Sequence, residues 1–180
     1  MPALKMDELL GRVMQVAYVV PDIHQAMKDF SSRLQIGPWF YFEHLPAINQ
    51  VYRGAPVQLD LAVALGYGSG QMMFELIQQY DATPSVYQEA FERRGYGFHH
   101  FGIATRTFEQ DVQRHRELGY ELIFSAQTPR GNRGAYMDAP PILGGLIEYI
   151  EVTEASEEFY GRMHAASLTF TGSDPVRRLT

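Results

Sequence analysis

Hydrophobic and polar positions divide the chain into two runs of similar order. Val13 to Val20 reads as a strand that ends at Pro21-Asp22. Ile23, Ala26, Met27 and Phe30 then recur at helical spacing, predicting a helix over Ile23 to Leu34 with Asp22 as its cap and Gly37-Pro38 as its stop. Trp39 to His44 is an aromatic strand, and Pro46, Asn49 and Gly54 mark a loop. Leu59, Leu61, Val63 and Leu65 alternate in a third strand, Val57 to Leu65. Gly66 to Gly70 reads as a turn, and Gln71 to Gln78 as a fourth strand.

Pro84 to Arg94 predicts a connecting helix, stopped by Gly95 and Gly97. The order then restarts, with a strand at Phe98 to Thr105 and a helix at Phe108 to Leu118. Strands follow at Tyr120 to Ser125, Ala135 to Asp138 and Leu146 to Val152. Glu154 to Thr169 predicts a terminal helix, and the tail from Gly172 is expected to be loose. The expected organisation is an extension (1–12), a βαβββ module (13–80), a linking helix (81–96), a second βαβββ module (97–153), and a C-terminal helix and tail (154–180). The fold class is α+β, a cupped mixed sheet built from two modules.

The halves match in residue type. Gln15-Val-Ala-Tyr lies where His100-Phe-Gly-Ile recurs, and Phe74-Glu75-Leu-Ile where Ile147-Glu148-Tyr-Ile recurs. Alternation turns Glu75 away from Phe74 and Leu76, and Glu148 away from Ile147 and Tyr149. His100 and Gln15 are opposed to Phe101 and Val16 in the same way, so all four can share one face. Uncompensated carboxylates on a half-buried face are costly, and two beside an imidazole point to a cation between them. A single such His or Glu is ordinarily structural, but matched places in two repeats give the set its weight. The donors suit one divalent ion, Zn²⁺, Fe²⁺, Mn²⁺, Co²⁺ or Ni²⁺. Gln15 is the weakest ligand by type. His99 rivals His100, but alternation sends it toward the helix layer or solvent.

Composition narrows the field. With no cysteine among 180 residues, disulfides and thiolate-zinc sites are excluded. A net charge of -6 argues against a nucleic-acid partner. Met1 to Arg12 lacks a signal-like apolar run, and no stretch is long enough to cross a bilayer, so a cytoplasmic protein is expected.

The motifs Gln15-Val-Ala-Tyr-Val-Val-Pro-Asp, Phe74-Glu75-Leu-Ile-Gln, His99-His100-Phe-Gly-Ile-Ala and Gly145-Leu-Ile-Glu148, in this order, resemble the vicinal oxygen chelate superfamily. That group includes glyoxalase I, methylmalonyl-CoA epimerase, extradiol dioxygenases and bleomycin-resistance proteins. The resemblance implies a metal held by Gln15, Glu75, His100 and Glu148, and a homodimer. It implies proton transfer beside a metal-bound carbonyl through an enolate or enediolate, as in an isomerase, epimerase or lyase, with Glu148 as the first candidate base and Glu75 as the second. Gln15 in place of histidine counts against ring cleavage. Val19 and Tyr96, where glyoxalase I has arginines, count against glutathione and leave a more apolar or CoA-type substrate. Trp39, Tyr41, Tyr52, Met73, Met137 and Arg130 are the candidate pocket residues. The competing expectation is a non-catalytic binder of a hydrophobic small molecule or drug on the same fold.

Overall fold

A computed structural model of the chain describes residues 4–68, 70–129 and 131–179. After a short helix α1 (Met6–Leu9) come β1 (Val13–Val19), α2 (Ile23–Leu34), β2 (Trp39–Phe42), β3 (Ile48–Tyr52), β4 (Ala55–Pro56), β5 (Leu61–Tyr67) and β6 (Met73–Gln79). Helix α3 (Val86–Arg94) leads to β7 (Gly97–Thr105), α4 (Phe108–Glu117), β8 (Leu122–Gln127), β9 (Arg133–Met137) and β10 (Leu146–Glu151), then α5 (Glu154–Ser167) and β11 (Val176–Leu179). All the described strands join one mixed sheet, ordered β11-β2-β5-β6-β1-β7-β10-β9-β8-β3-β4. Strands β1 and β7 meet antiparallel at its centre. Each pairs in parallel on its other side with the last strand of its own half, β6 or β10. The α+β class and the doubled βαβββ order are therefore present, with β3 and β4 added to the first half.

The pleat divides each strand between two layers. On the outer face, Tyr18, Val20, Trp39, Tyr41, Ala62, Ala64 and Leu76 pack with Ile23 and Met27 of α2. Asp22 starts that helix as expected, accepting from the Gln25 backbone at 2.9 Å. Burying a side chain such as Ile23 or Met27 contributes about 1.5–3 kcal/mol, enough to fix which face of α2 is inside. On the inner face, Ala17, Val19, Leu61, Val63 and Ile77 join Phe124 and Tyr136 across the cup.

Four segments depart from the sequence expectation. The expected loop around Asn49 contains β3, which pairs with β8 of the other half and so ties the two ends of the sheet together. The expected connecting helix α3 does more than connect, because Val86 and Tyr87 fill the inside of the cup. The expected loose tail forms β11, parallel to β2, with Val176 packed against the α2 layer. Helix α5 closes the other end, where Phe159, Tyr160 and Met163 pack with Met14, Tyr67 and Met73. The third strand is shifted relative to its prediction, so that Gly66 lies inside β5 rather than in a turn.

Candidate metal centre

Gln15 on β1, Glu75 on β6, His100 on β7 and Glu148 on β10 come from the four central strands of the sheet. Their side chains converge. His100 Nε2 is 3.3 Å from Glu75 Oε2 and 3.1 Å from Glu148 Oε2. Gln15 Nε2 donates to Glu75 Oε2 at 2.7 Å, and lies 3.2 Å from His100 Nε2 and 3.5 Å from Glu148 Oε2. One ligand atom from each of Glu75, His100 and Glu148 falls within 4.8 Å of the others, the one such group among the described residues. Both halves of a single chain supply it.

The cluster is nearly dry. His100 is 0% and Gln15 3% exposed, while the two carboxylate side chains keep 13% and 12%. Burial pushes the Glu75 carboxyl up, against the pull of His100. Burial also acts to lower His100, but hydrogen bonds to Glu148 and Glu75 and their charges prevail and raise its pKa to about 9. Two carboxylates thus share a nearly dry site with one imidazole. The donor chemistry therefore fits a divalent cation, with two anionic oxygens, one imidazole nitrogen and one amide. A half-turn of the Gln15 amide exchanges Nε2 for Oε1 and presents an oxygen at the same place.

Two β-bulges shape this geometry. Val13 pairs with Ile103 but Gln15 with Gly102, leaving Met14 as the extra residue on β1. Ala17 pairs with His100 but Tyr18 with Phe98, leaving His99 as the extra residue on β7. Each bulge falls one residue before a cluster member. The bulge overrides the alternation expected of His99. Its ring, fully buried, turns to the same side as His100, with Nδ1 to Nδ1 at 2.8 Å and both rings against Tyr136.

Of the expected pocket residues, Trp39, Tyr41 and Met137 face the helix layer, whereas Met73 and Tyr52 lie on the inner side. Trp39 and Tyr41 face α2, where the Trp39 indole donates to Met27 O at 3.2 Å and Ser31 Oγ at 2.9 Å. Their neighbour Phe40 takes the other face, against Phe159 of α5. Met137 faces α4 with Val112, and its neighbour Tyr136 takes the inner position, in register with Glu148. Met73 packs with Met14 and α5, while Tyr52 lies against the inner core and donates to Glu89 of α3 at 2.8 Å. Arg130 lies outside the described residues.

Residue-by-residue reading of the sequence passes over Tyr87 and Tyr136, whose hydroxyls are 3.3 Å apart, and Tyr160, which feels the charge of both cluster carboxylates. The signal for Tyr136 is its register opposite Glu148. Two clefts, of about 420 and 210 Å³, are lined by residues around Leu122 and include none of the four cluster members.

The paired-module cup thus sets two carboxylates, an imidazole and an amide together at its centre as a candidate metal site. Residues 14–137, more than half of the chain, match the family described as the glyoxalase/bleomycin resistance protein/dioxygenase superfamily, and the chain belongs to that family. No curated protein matches it in sequence. Among solved structures it is similar to methylmalonyl-CoA epimerase from Mycobacterium tuberculosis, at 17% identity and TM-score 0.58, covering 88% of this chain and 97% of that one. It is also similar to a hypothetical protein, BH1468, from Bacillus halodurans C-125, at 19% identity and TM-score 0.57, covering 79% and 95%. A third similar structure is a Streptomyces coelicolor methylmalonyl-CoA epimerase variant in complex with 2-nitronate-propionyl-CoA, at 14% identity and TM-score 0.55, covering 81% and 96%. At these identities the likeness is one of fold.

Proposed function

We propose that the chain is a divalent-metal-dependent isomerase, epimerase or lyase that moves a proton at the carbon beside a carbonyl. The observation that carries this reading is the convergence of Glu75 and Glu148 within 3.3 Å of one buried imidazole nitrogen, with the Gln15 amide alongside. Gln15, Glu75, His100 and Glu148 would hold the ion. Bound there, the ion would supply a Lewis acid for the substrate carbonyl.

The proton is moved by the chain's own carboxylates. Glu148 is the proposed base and Glu75 the one across from it. Tyr87, Phe124 and Tyr136 form an apolar wall beside the cluster and exclude water from it. That wall suits a fairly apolar acyl group, and the epimerase neighbours make a CoA thioester such as methylmalonyl-CoA the first substrate to test. The chain is proposed to act as a homodimer in the cytoplasm. Among the described residues no helix is long and apolar enough to cross a membrane.

The test is exchange in D₂O. Protein loaded with Zn²⁺, Mn²⁺, Co²⁺ or Ni²⁺ is expected to deuterate the α-carbon of candidate thioesters and ketones, and chelator-treated protein is not. The aromatic filling of the cup favours a second reading, a non-catalytic binder of a hydrophobic small molecule. Substoichiometric metal after gentle purification, with no rise in melting temperature on adding these ions, would select it.

A further inference from the structure

An imidazole that binds a cation through Nε2 must carry its proton on Nδ1, and something must hold it in that tautomer. His100 has such a partner one residue away. On the far side of His99, Nε2 lies 3.4 Å from the backbone carbonyl of Val86 on α3. A carbonyl only accepts, so His99 Nε2 carries the hydrogen. A neutral His99 then has a bare Nδ1. That atom is 2.8 Å from His100 Nδ1, so His100 Nδ1–H donates to it. The remaining nitrogen, His100 Nε2, is the one facing Glu75 and Glu148.

Packing holds the relay in place. His99 is fully buried, tilted over Tyr87 with ring centroids 5.1 Å apart and edge-on to Tyr136 at 5.8 Å. Gly145, just before β10, lets the chain pass close to the His99 backbone, where an added Cβ would collide with the His99 carbonyl. The bulge that turns His99 inward is therefore built into the packing of the neighbouring strand.

We propose that His99 is a positioning residue, which fixes the tautomer and ring orientation of His100 and couples them to the first turn of α3. The inference rests on reading the four-residue cluster as a metal centre. Its direct test is ¹⁵N NMR of the imidazoles in Zn²⁺-loaded full-length protein. The expected pattern is His99 protonated on Nε2 alone and His100 protonated on Nδ1 alone. A His100 proton on Nε2, or a His99 proton on Nδ1, overturns the proposal without any substitution.

Two variants add an affinity readout. His99→Phe keeps a ring but removes the acceptor, and is expected to weaken Zn²⁺ binding about 10- to 100-fold. His99→Asn places an amide oxygen near the Nδ1 position and is expected to restore affinity to within a few-fold. Zn²⁺ binding by His99→Phe within twofold of the original protein overturns the proposal, as does a loss in His99→Asn equal to that in His99→Phe. If the unaltered protein takes up no Zn²⁺, Mn²⁺, Co²⁺ or Ni²⁺, the metal reading fails and this inference fails with it. Metal uptake with an unaffected His99→Phe sinks the relay alone.

Discussion

The first strands of the two halves do the same job with different chemistry. Each has a bulge one residue before its cluster member, Met14 before Gln15 and His99 before His100. In the first half the bulged side chain is apolar and packs with α1 and α5. In the second it is an imidazole that hydrogen-bonds the cluster histidine at 2.8 Å. An amide can offer its oxygen by rotating and needs no tautomer fixed. An imidazole must have one chosen for it. The carboxylates differ as well. Glu75 is in register with Leu65 on β5, whereas Glu148 is in register with Tyr136 and has its Oε1 over Gly134 on β9. The backbone repeats, and the second half adds polar support and space.

The sharpest break of that comparison is at the carboxylates. Glu148→Gln is expected to reduce metal-dependent α-deuteration about 10²- to 10⁴-fold while substrate still binds. Glu75→Gln is expected to act chiefly on metal affinity. Full exchange activity in Glu148→Gln discards its role as base. Equal losses of exchange in both variants would place the proton transfer in both halves.

The next contrast is between His100, which titrates, and Gln15, which does not. Because the His100 pKa is raised to about 9, Nε2 carries a proton below that pH, which a cation must displace. Apparent metal affinity should fall about tenfold for each pH unit below about 9 and lose this dependence above it. Competition titrations between pH 6 and 10 measure the slope, and a flat profile would refute the displaced proton. The same shift gives the metal-free chain a stabilising contribution. A folded pKa above the unfolded value of 6.5 makes it fully present below pH 6.5, and it is lost as pH rises through about 9.

Glycine at position 134 is the third contrast. A Cβ there would lie 2.6 Å from Glu148 Oε1. Gly134→Ala is expected to displace that carboxylate, to cost about 1–3 kcal/mol of stability and to weaken metal binding. Unchanged metal affinity in a folded Gly134→Ala would show that Glu148 has room to spare. At Val63, one pleat repeat along β5 from Leu65, the first half already carries a larger side chain.

Much of this plan was legible in the residues. The alternation that set Glu75 against Phe74 and Leu76 did place the glutamates inside, with Phe74 and Leu76 against α2 and Tyr149 against α4. Alternation failed where a bulge adds a residue, at His99, because a pattern of apolar and polar types does not reveal register. It failed by one position in the aromatic and β9 strands. Phe40 and Tyr136 face inward rather than Trp39 and Met137, because a run that is apolar on both faces carries no parity signal. Strand β3 was hidden for another reason. Its residues are half polar, Asn49 has φ 53°, and its partner β8 is distant in sequence. The tail strand β11 likewise depends on a long-range partner, β2.

The smallest expected effect isolates the aromatic wall from the cluster. Tyr136 packs edge-on to His100 at 4.7 Å, and its hydroxyl meets that of Tyr87 at 3.3 Å. Tyr136→Phe keeps the ring and removes one of those hydroxyls. It leaves Tyr87 one partner short in a buried place, so the loss is expected to be about 1 kcal/mol, or a drop in Tm of roughly 2–4 °C. Metal affinity should be unchanged, because the ring still covers His100. If metal affinity falls as far as in Glu75→Gln, the hydroxyl pair belongs to the centre's own support and the second half contributes a further polar group to it. A change in Tm alone limits Tyr136 to packing and water exclusion, and the polar support particular to the second half then reduces to His99.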